Sequence, residues 1–169
     1  MTTAAVTTTI DARYGEPGAE PMSWPETEAL FASAPLYWVS TIHTTGRPHV
    51  APLVGVWHDD AFHLTVGPGE QKALNLVRDP RIAVTTGRND WDSGTDVVLE
   101  GAAHRVTDHD ALTAIAAAYF GKYGDAWRFE VGEGGFGIAD EFAWVFRIPP
   151  RKVLVFAKQP HGQTTHRFG

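Results

Sequence analysis

FHLTVGPGEQKALNLVRDPRIAVTTG, residues 62–87, carries in one run the signals that decide the fold. Phe62 to Val66 alternates apolar and polar side chains, the pattern of a half-buried strand. Gly67-Pro68-Gly69 breaks it, a short helical pattern with Lys72 and Asn75 follows, and Asp79-Pro80 stops that before a second strand at Arg81 to Thr86. The unit is strand, glycine turn, helix, strand. Backbone N–H groups at a glycine turn feeding a helix N-terminus make a concave anion site, and a lysine two or three residues inside adds full charge. The nucleotide-binding GxxxxGK[ST] is absent. The run therefore predicts either a phosphate grip of another kind or an ordinary strand-to-helix connection with a solvated lysine.

Outward from this unit, LYWVSTIH, PHVAPLVGVWH and AFHLTV keep a period of two and are separated by Thr45-Gly46-Arg47 and by Asp59-Asp60. They predict three antiparallel strands in a meander. Pro48 and Pro52 cannot donate to a ladder, which places that strand at an edge, at a bulge, or where something other than a strand, such as a ligand, covers it. Downstream, Asp96 to Val106 reads as a fifth strand after Arg81 to Thr86. Thr107-Asp108-His109-Asp110 opens a helix with Leu112, Ile115, Ala116 and Tyr119 on one buried face, ending at Gly121 or Gly124. Residues 121–141, with six glycines and Trp127, Phe129 and Phe136, predict a long loop, read as a lid. FAWVFRI and KVLVFA supply two more strands through Pro149-Pro150-Arg151.

At the other end, Ser23-Trp24-Pro25-Glu26 has the form of a capping box opening a helix to about Ser33, which buries Leu30 and Phe31 and is ended by Pro35. Residues 1–22 are expected to be a flexible arm, mobile or lying on a partner. Residues 23–169 form one domain, mainly β with two or three helices, and many short strands favour a barrel or sandwich.

The chain is 43% apolar and has a formal charge of -6, which argues for a folded globule without general affinity for nucleic acid or an anionic membrane. It has no cysteine, so disulfides and thiolate chemistry are excluded. With no membrane-length apolar run and no signal-like N-terminus, a cytoplasmic location is expected. His49, His58 and His63 lie on neighbouring strands, but HExxH and HxH are missing and no metal site is expected. GxSxG is absent too, and Ser40 lies in a strand rather than at a strand-to-helix elbow. Trp38, Trp57 and Trp144 read as packing. What remains is a pocket of Ser40, Thr41, His49 to Pro52 and Lys72, suited to a planar phosphorylated ligand that brings its own redox chemistry.

At these residues the chain resembles the pyridoxamine 5'-phosphate oxidase-like, flavin-binding split-barrel superfamily, in its flavin/deazaflavin oxidoreductase branch. The matching pieces are residues 38–87, DVVLEGAAHRVTD (96–108), KYG (122–124) and the closing Gln163-Thr164 with Arg167-Phe168. The resemblance implies a six- to seven-stranded antiparallel split β-barrel, assembled as a homodimer with cofactor sites at the subunit interface. It also implies an oxidoreductase moving a hydride between coenzyme F420 or FMN and a small conjugated substrate. Carried over by position, Ser40 and Thr41 would lie near the ring or its ribityl chain, and the backbone of His49, Val50, Ala51 and Pro52 would face the ring. Thr65, Val66 and Gly67 would lie by the ribityl and phosphate groups, with Lys72 as the phosphate-binding lysine and Asn75 its helical neighbour, and Arg167, in the closing motif, would also be cofactor-binding. Two departures stand out. Glu70 adds a negative charge beside the site, and Thr165-His166 replaces the usual arginine and aromatic. The substrate-binding arginine and histidine motifs of true vitamin B6 oxidases are missing. The alternative is a non-catalytic flavin or haem binder with His161 or His166 as axial ligand; a third reading is a barrel that has lost its ligand.

Overall fold

A computed structural model describes residues 5–137 and 141–169. In chain order the elements are β1 (Val6–Ile10), α1 (Trp24–Ser33), β2 (Tyr37–Ile42), β3 (Pro48–Leu53), β4 (Gly55–His58), β5 (Ala61–Val66), α2 (Gln71–Arg78) and β6 (Arg81–Thr86). There follow β7 (Thr95–Ala102), β8 (His104–Val106), α3 (His109–Tyr123), a 3-10 turn (Gly124–Trp127), β9 (Val131–Gly132), β10 (Gly135–Phe136), β11 (Trp144–Ile148), β12 (Pro150–Lys158) and β13 (His161–Phe168). The fold is the expected mainly β split barrel: a seven-stranded antiparallel sheet β1-β13-β12-β7-β6-β2-β3 faces a four-stranded sheet β4-β5-β11-β8.

Three chain runs turn the corner from one sheet to the other, and they explain where the sequence reading needs correction. PHVAPLVGVWH is two strands, not one. Its first half, β3, pairs with β2, and its second half, β4, pairs with β5, so the meander is broken at Val54. Residues 96–106 break likewise at Ala103 into β7 and β8, and Pro149 separates β11 from β12. Glycine marks two of these corners because a core ring or a neighbouring backbone comes too close for a side chain. A Cβ on Gly55 would meet Phe62 Cζ at 2.2 Å, and one on Gly101 would meet Pro149 O at 2.6 Å. Pro48 and Pro52 do sit on an edge strand, since β3 ends the large sheet.

Between the sheets lies the main core, built from the inward side chains of β2, β5, β6, β7, β11 and β12 and closed by Phe31 of α1 and Ala73 and Leu76 of α2. The capping box of α1 is complete, with Ser23 and Glu26 each satisfying the other's backbone N–H. A second core lies against the other face of the small sheet, where Leu112, Ile115, Ala116 and Tyr119 of α3 meet Val56, Val145 and Phe136.

Two further expectations give way. The arm is not free over Val6–Ile10: these β-branched residues form β1, pairing along β13 from Phe168 to Thr164. The unpredicted β13 otherwise has an open edge, and a VTTTI segment fits a pleated edge well. The lid region packs as core over its described part, with Phe136 buried and stacked on Phe129 at 4.5 Å and Tyr119 edge-on to Phe129 at 5.2 Å. Trp38, expected to pack, is 49% exposed on the outer face of the large sheet. Residues 1–4 and 138–140 of the arm and loop lie outside the described residues. No described helix is long and apolar enough to cross a membrane.

Candidate functional site

Strand β5 ends at Val66, and Gly67-Pro68-Gly69 delivers the chain to Glu70, which precedes the first turn of α2. The Glu70 side chain does not cap the helix it precedes. Its carboxylate folds back, accepting the Gly67 N–H at 2.7 Å and pairing with the Lys72 ammonium, so the chain's own oxyanion sits on the turn that was expected to take a phosphate. Partial burial works to raise the Glu70 carboxyl, but the Lys72 ammonium and the Gly67 N–H outweigh it and hold the group below its ordinary value.

Helix α2 is tied to β2 by polar contacts. Asn75 is fully buried; its amide donates to Thr41 Oγ1 at 2.9 Å and accepts from Gln71 Nε2 at 2.9 Å. Arg78 donates to the Ile42 carbonyl at 2.6 Å, holding the far end of the helix. His49 Nδ1 is 3.4 Å from Thr41 Oγ1. Desolvation first, then the charges of Arg47 and Arg78 and nearby His49, keep the His43 imidazole at the β2–β3 hairpin below its ordinary value, which favours its neutral form.

The expected residues thus fall into three groups. Thr41, His49, Lys72, Asn75 and Gly67 gather around α2, with Ser40, Val50, Ala51 and Pro52 on the adjoining hairpin. Ser40 and Val50 are cross-strand partners, as are Val39 and Ala51 and Trp38 and Pro52. Ser40 and Thr41 also line an open groove of about 650 Å³ with Arg81, Glu100 and Arg151. Val66 points into the main core. Thr65 is different: it alternates with Val66, so its side chain faces the second core, where its Oγ1 is buried without a hydrogen-bond partner. Arg167 lies on β13, four strands along the large sheet from β2.

Of the histidines named as axial ligands, His166 is spoken for. It is fully buried, with Nδ1 2.9 Å from Thr8 Oγ1 and Nε2 2.9 Å from Thr27 Oγ1, and desolvation lowers its pKa. Its place in the closing motif is structural. His161 is exposed, and its Nδ1 is 3.1 Å from the Lys158 carbonyl. It opens on a groove of about 630 Å³ with Tyr14, Trp91, Phe156 and Gln163. The Tyr14 and Trp91 side of that groove escaped sequence reasoning because residues 11–16 and 88–95 carry no periodicity that would bring them together. No three His, Asp or Glu side chains among the described residues are grouped to hold a metal ion.

The family model described as pyridoxamine 5'-phosphate oxidase matches residues 23–156. Among solved structures, a conserved hypothetical protein of Mycobacterium tuberculosis is similar at 22% identity and a TM-score of 0.67, covering 82% of this chain and 87% of that one. A heme binding protein of Mycobacterium smegmatis is similar at 21% identity and a TM-score of 0.70, over 86% of this chain and 58% of that one. An FAD-binding protein of Mesorhizobium loti shares 17% identity at a TM-score of 0.59, over 96% and 98% of the two chains. At these identities the likeness is one of fold. No curated protein matches the chain by sequence.

Proposed function

From a chain that belongs to the pyridoxamine 5'-phosphate oxidase family, we infer an oxidoreductase that uses a flavin-type cofactor, coenzyme F420 or FMN, to move a hydride to or from a small conjugated substrate. The observation that carries this reading is the carboxylate seated at the head of α2. A turn that holds Glu70 on the Gly67 N–H and Lys72 has donors for another oxyanion in its place, and the Glu70 side chain is 48% exposed and free to swing aside. Lys72 and Gly67 would hold the anionic end, with the backbone of His49 to Pro52 and Ser40 along the ring. The cofactor, when bound, supplies the two-electron chemistry. The chain's part is to fix geometry: Asn75 on Thr41 and Arg78 on Ile42 hold α2 against the hairpin, and the sheet face shields one side from water. Ser40 or His49 would give or take the proton.

The same reading makes the protein a cytoplasmic homodimer with its cofactor sites at the subunit interface. Two features support that. Trp38 and Val50 expose 49% and 54% of their surface beside the site, and Arg167, remote within one chain, would reach it only from a second copy.

The test is to titrate the purified protein with FMN, oxidised and reduced coenzyme F420, and haem, following absorbance and fluorescence. One flavin-type ligand is expected to bind, and Lys72→Ala to weaken it at least about tenfold, since a charge-assisted phosphate contact is worth over about 1.4 kcal/mol. Unchanged affinity in the variant would overturn the site.

A second reading, a non-catalytic flavin or haem binder, is favoured by His161. Its Nδ1 rests on a carbonyl, as in a metal-binding imidazole, and the residue lines a groove with two exposed aromatics, Tyr14 and Trp91. Binding of haem alone, lost in His161→Ala, would select it.

A further inference from the structure

Lys122, in the last turn of α3, is unlike the other three lysines. Lys72, Lys152 and Lys158 are each paired with a carboxylate, that of Glu70, Glu100 and Asp96 in turn. Lys122 has no such partner among the described residues. Its Nζ donates to Tyr37 Oη at 2.9 Å and to Gly55 O at 3.0 Å, and lies over the rings of Tyr37 and Tyr123 at 4.8 and 5.0 Å. We propose that Lys122 is a reactive amine and a site of covalent acylation by activated acyl donors.

The two acceptors occupy two of the three N–H directions. A neutral amine can therefore keep both hydrogen bonds and turn its lone pair along the third, and the residue remains partly exposed. Desolvation, with no carboxylate to hold the proton, pushes the ammonium down to about 8. The facing Tyr37 and Tyr123 hydroxyls offer no negative charge, because burial pushes both up. In the reaction Nζ attacks the acyl carbonyl carbon. A C–N bond forms, the C–O bond to phosphate or C–S bond to a thiol breaks, the leaving group departs with the electron pair, and the nitrogen's proton passes to solvent. The amide keeps one N–H for two acceptors and no charge, so acylation weakens the tie between α3 and the Gly55 corner.

The four lysines of the unmodified full chain are their own controls. The protein is treated at pH 8 with acetyl phosphate or, in a separate arm, acetyl coenzyme A, and acetylation at each lysine is followed by mass spectrometry. In at least one arm Lys122 is expected to react at least about tenfold faster than each of the others. Lys122→Arg removes the leading adduct and leaves the other rates unchanged. Equal rates at all four lysines in both arms would overturn the proposal.

Discussion

Helices α2 and α3 meet their sheets with different balances of contact, although α2 also buries Ala73 and Leu76 and α3 also ties Lys122 and Tyr123 to the Gly55 carbonyl. α2 is positioned by polar contacts, with the buried Asn75 amide joining Gln71 to Thr41 and Arg78 reaching a strand carbonyl. α3 is seated by rings: Tyr119 packs with Tyr123, Trp127, Phe129 and Phe136. Hydrogen bonds have direction, so the α2 contact fixes a register while leaving a wet rim around the half-exposed Glu70 carboxylate. Apolar burial has little direction but more energy, so the α3 contact supplies stability, and it leaves polar groups near it, such as His63 and Thr65, desolvated and unmatched.

The sharpest way to break this contrast is Tyr119→Ala, which should cost about 3–5 kcal/mol in urea unfolding, the usual range for emptying a large aromatic site. A loss under about 1 kcal/mol would remove the ring cluster as the source of stability.

The second effect is one of pH. His63 is 2% exposed; desolvation, then Arg147 and His58, lower its pKa to about 4 from an ordinary 6.5. The unfolded chain binds the proton first, so stability is complete above about pH 6.5 and falls as the pH drops towards 4, by roughly 3 kcal/mol. In His63→Phe that part of the slope should vanish from urea melts taken across the window. A slope unchanged by the substitution would assign the acid sensitivity to other groups.

On the α2 side the effects should be smaller and should show in binding as well. Asn75→Ala leaves Thr41 and Gln71 without their partner and is expected to cost about 1–3 kcal/mol in stability while also lowering ligand affinity. If stability fell with affinity intact, the polar tie would be scaffold only. The smallest change is Glu70→Gln, which removes the competing carboxylate; it should tighten binding of a phosphorylated ligand by about 1 kcal/mol, roughly fivefold. Weaker binding in that variant would mean that Glu70 helps to hold the ligand.

Much of this organisation is legible in the residues themselves. The capping box at Ser23 and Glu26, the proline-bearing edge strand, the buried face of α3 and the glycine turn before α2 all rest on contacts within a few positions, where spacing and side-chain chemistry act directly. Other features are silent in sequence. Glu70 reads as a charge beside the site, but its reach back to Gly67 depends on the turn's geometry. His166 reads as a departure from a motif, yet it lies between Thr8 and Thr27, which are 158 and 139 residues away. Thr65 and Val66 are adjacent in the chain and face different cores.

By itself, then, the sequence determined the strand and helix periods, the turns, the absence of thiol chemistry and the family to which the chain belongs. Tertiary structure alone decided where runs such as PHVAPLVGVWH leave one sheet for the other, since that is set by the clearance at Gly55 from the Phe62 ring and the His63 carbonyl. It decided too which polar groups find partners. Asn75 finds two, Lys122 finds acceptors but no carboxylate, and Arg167 lies four strands from the residues it was grouped with. Pairing of this kind depends on distance in space, and over separations of tens of residues no local pattern encodes it.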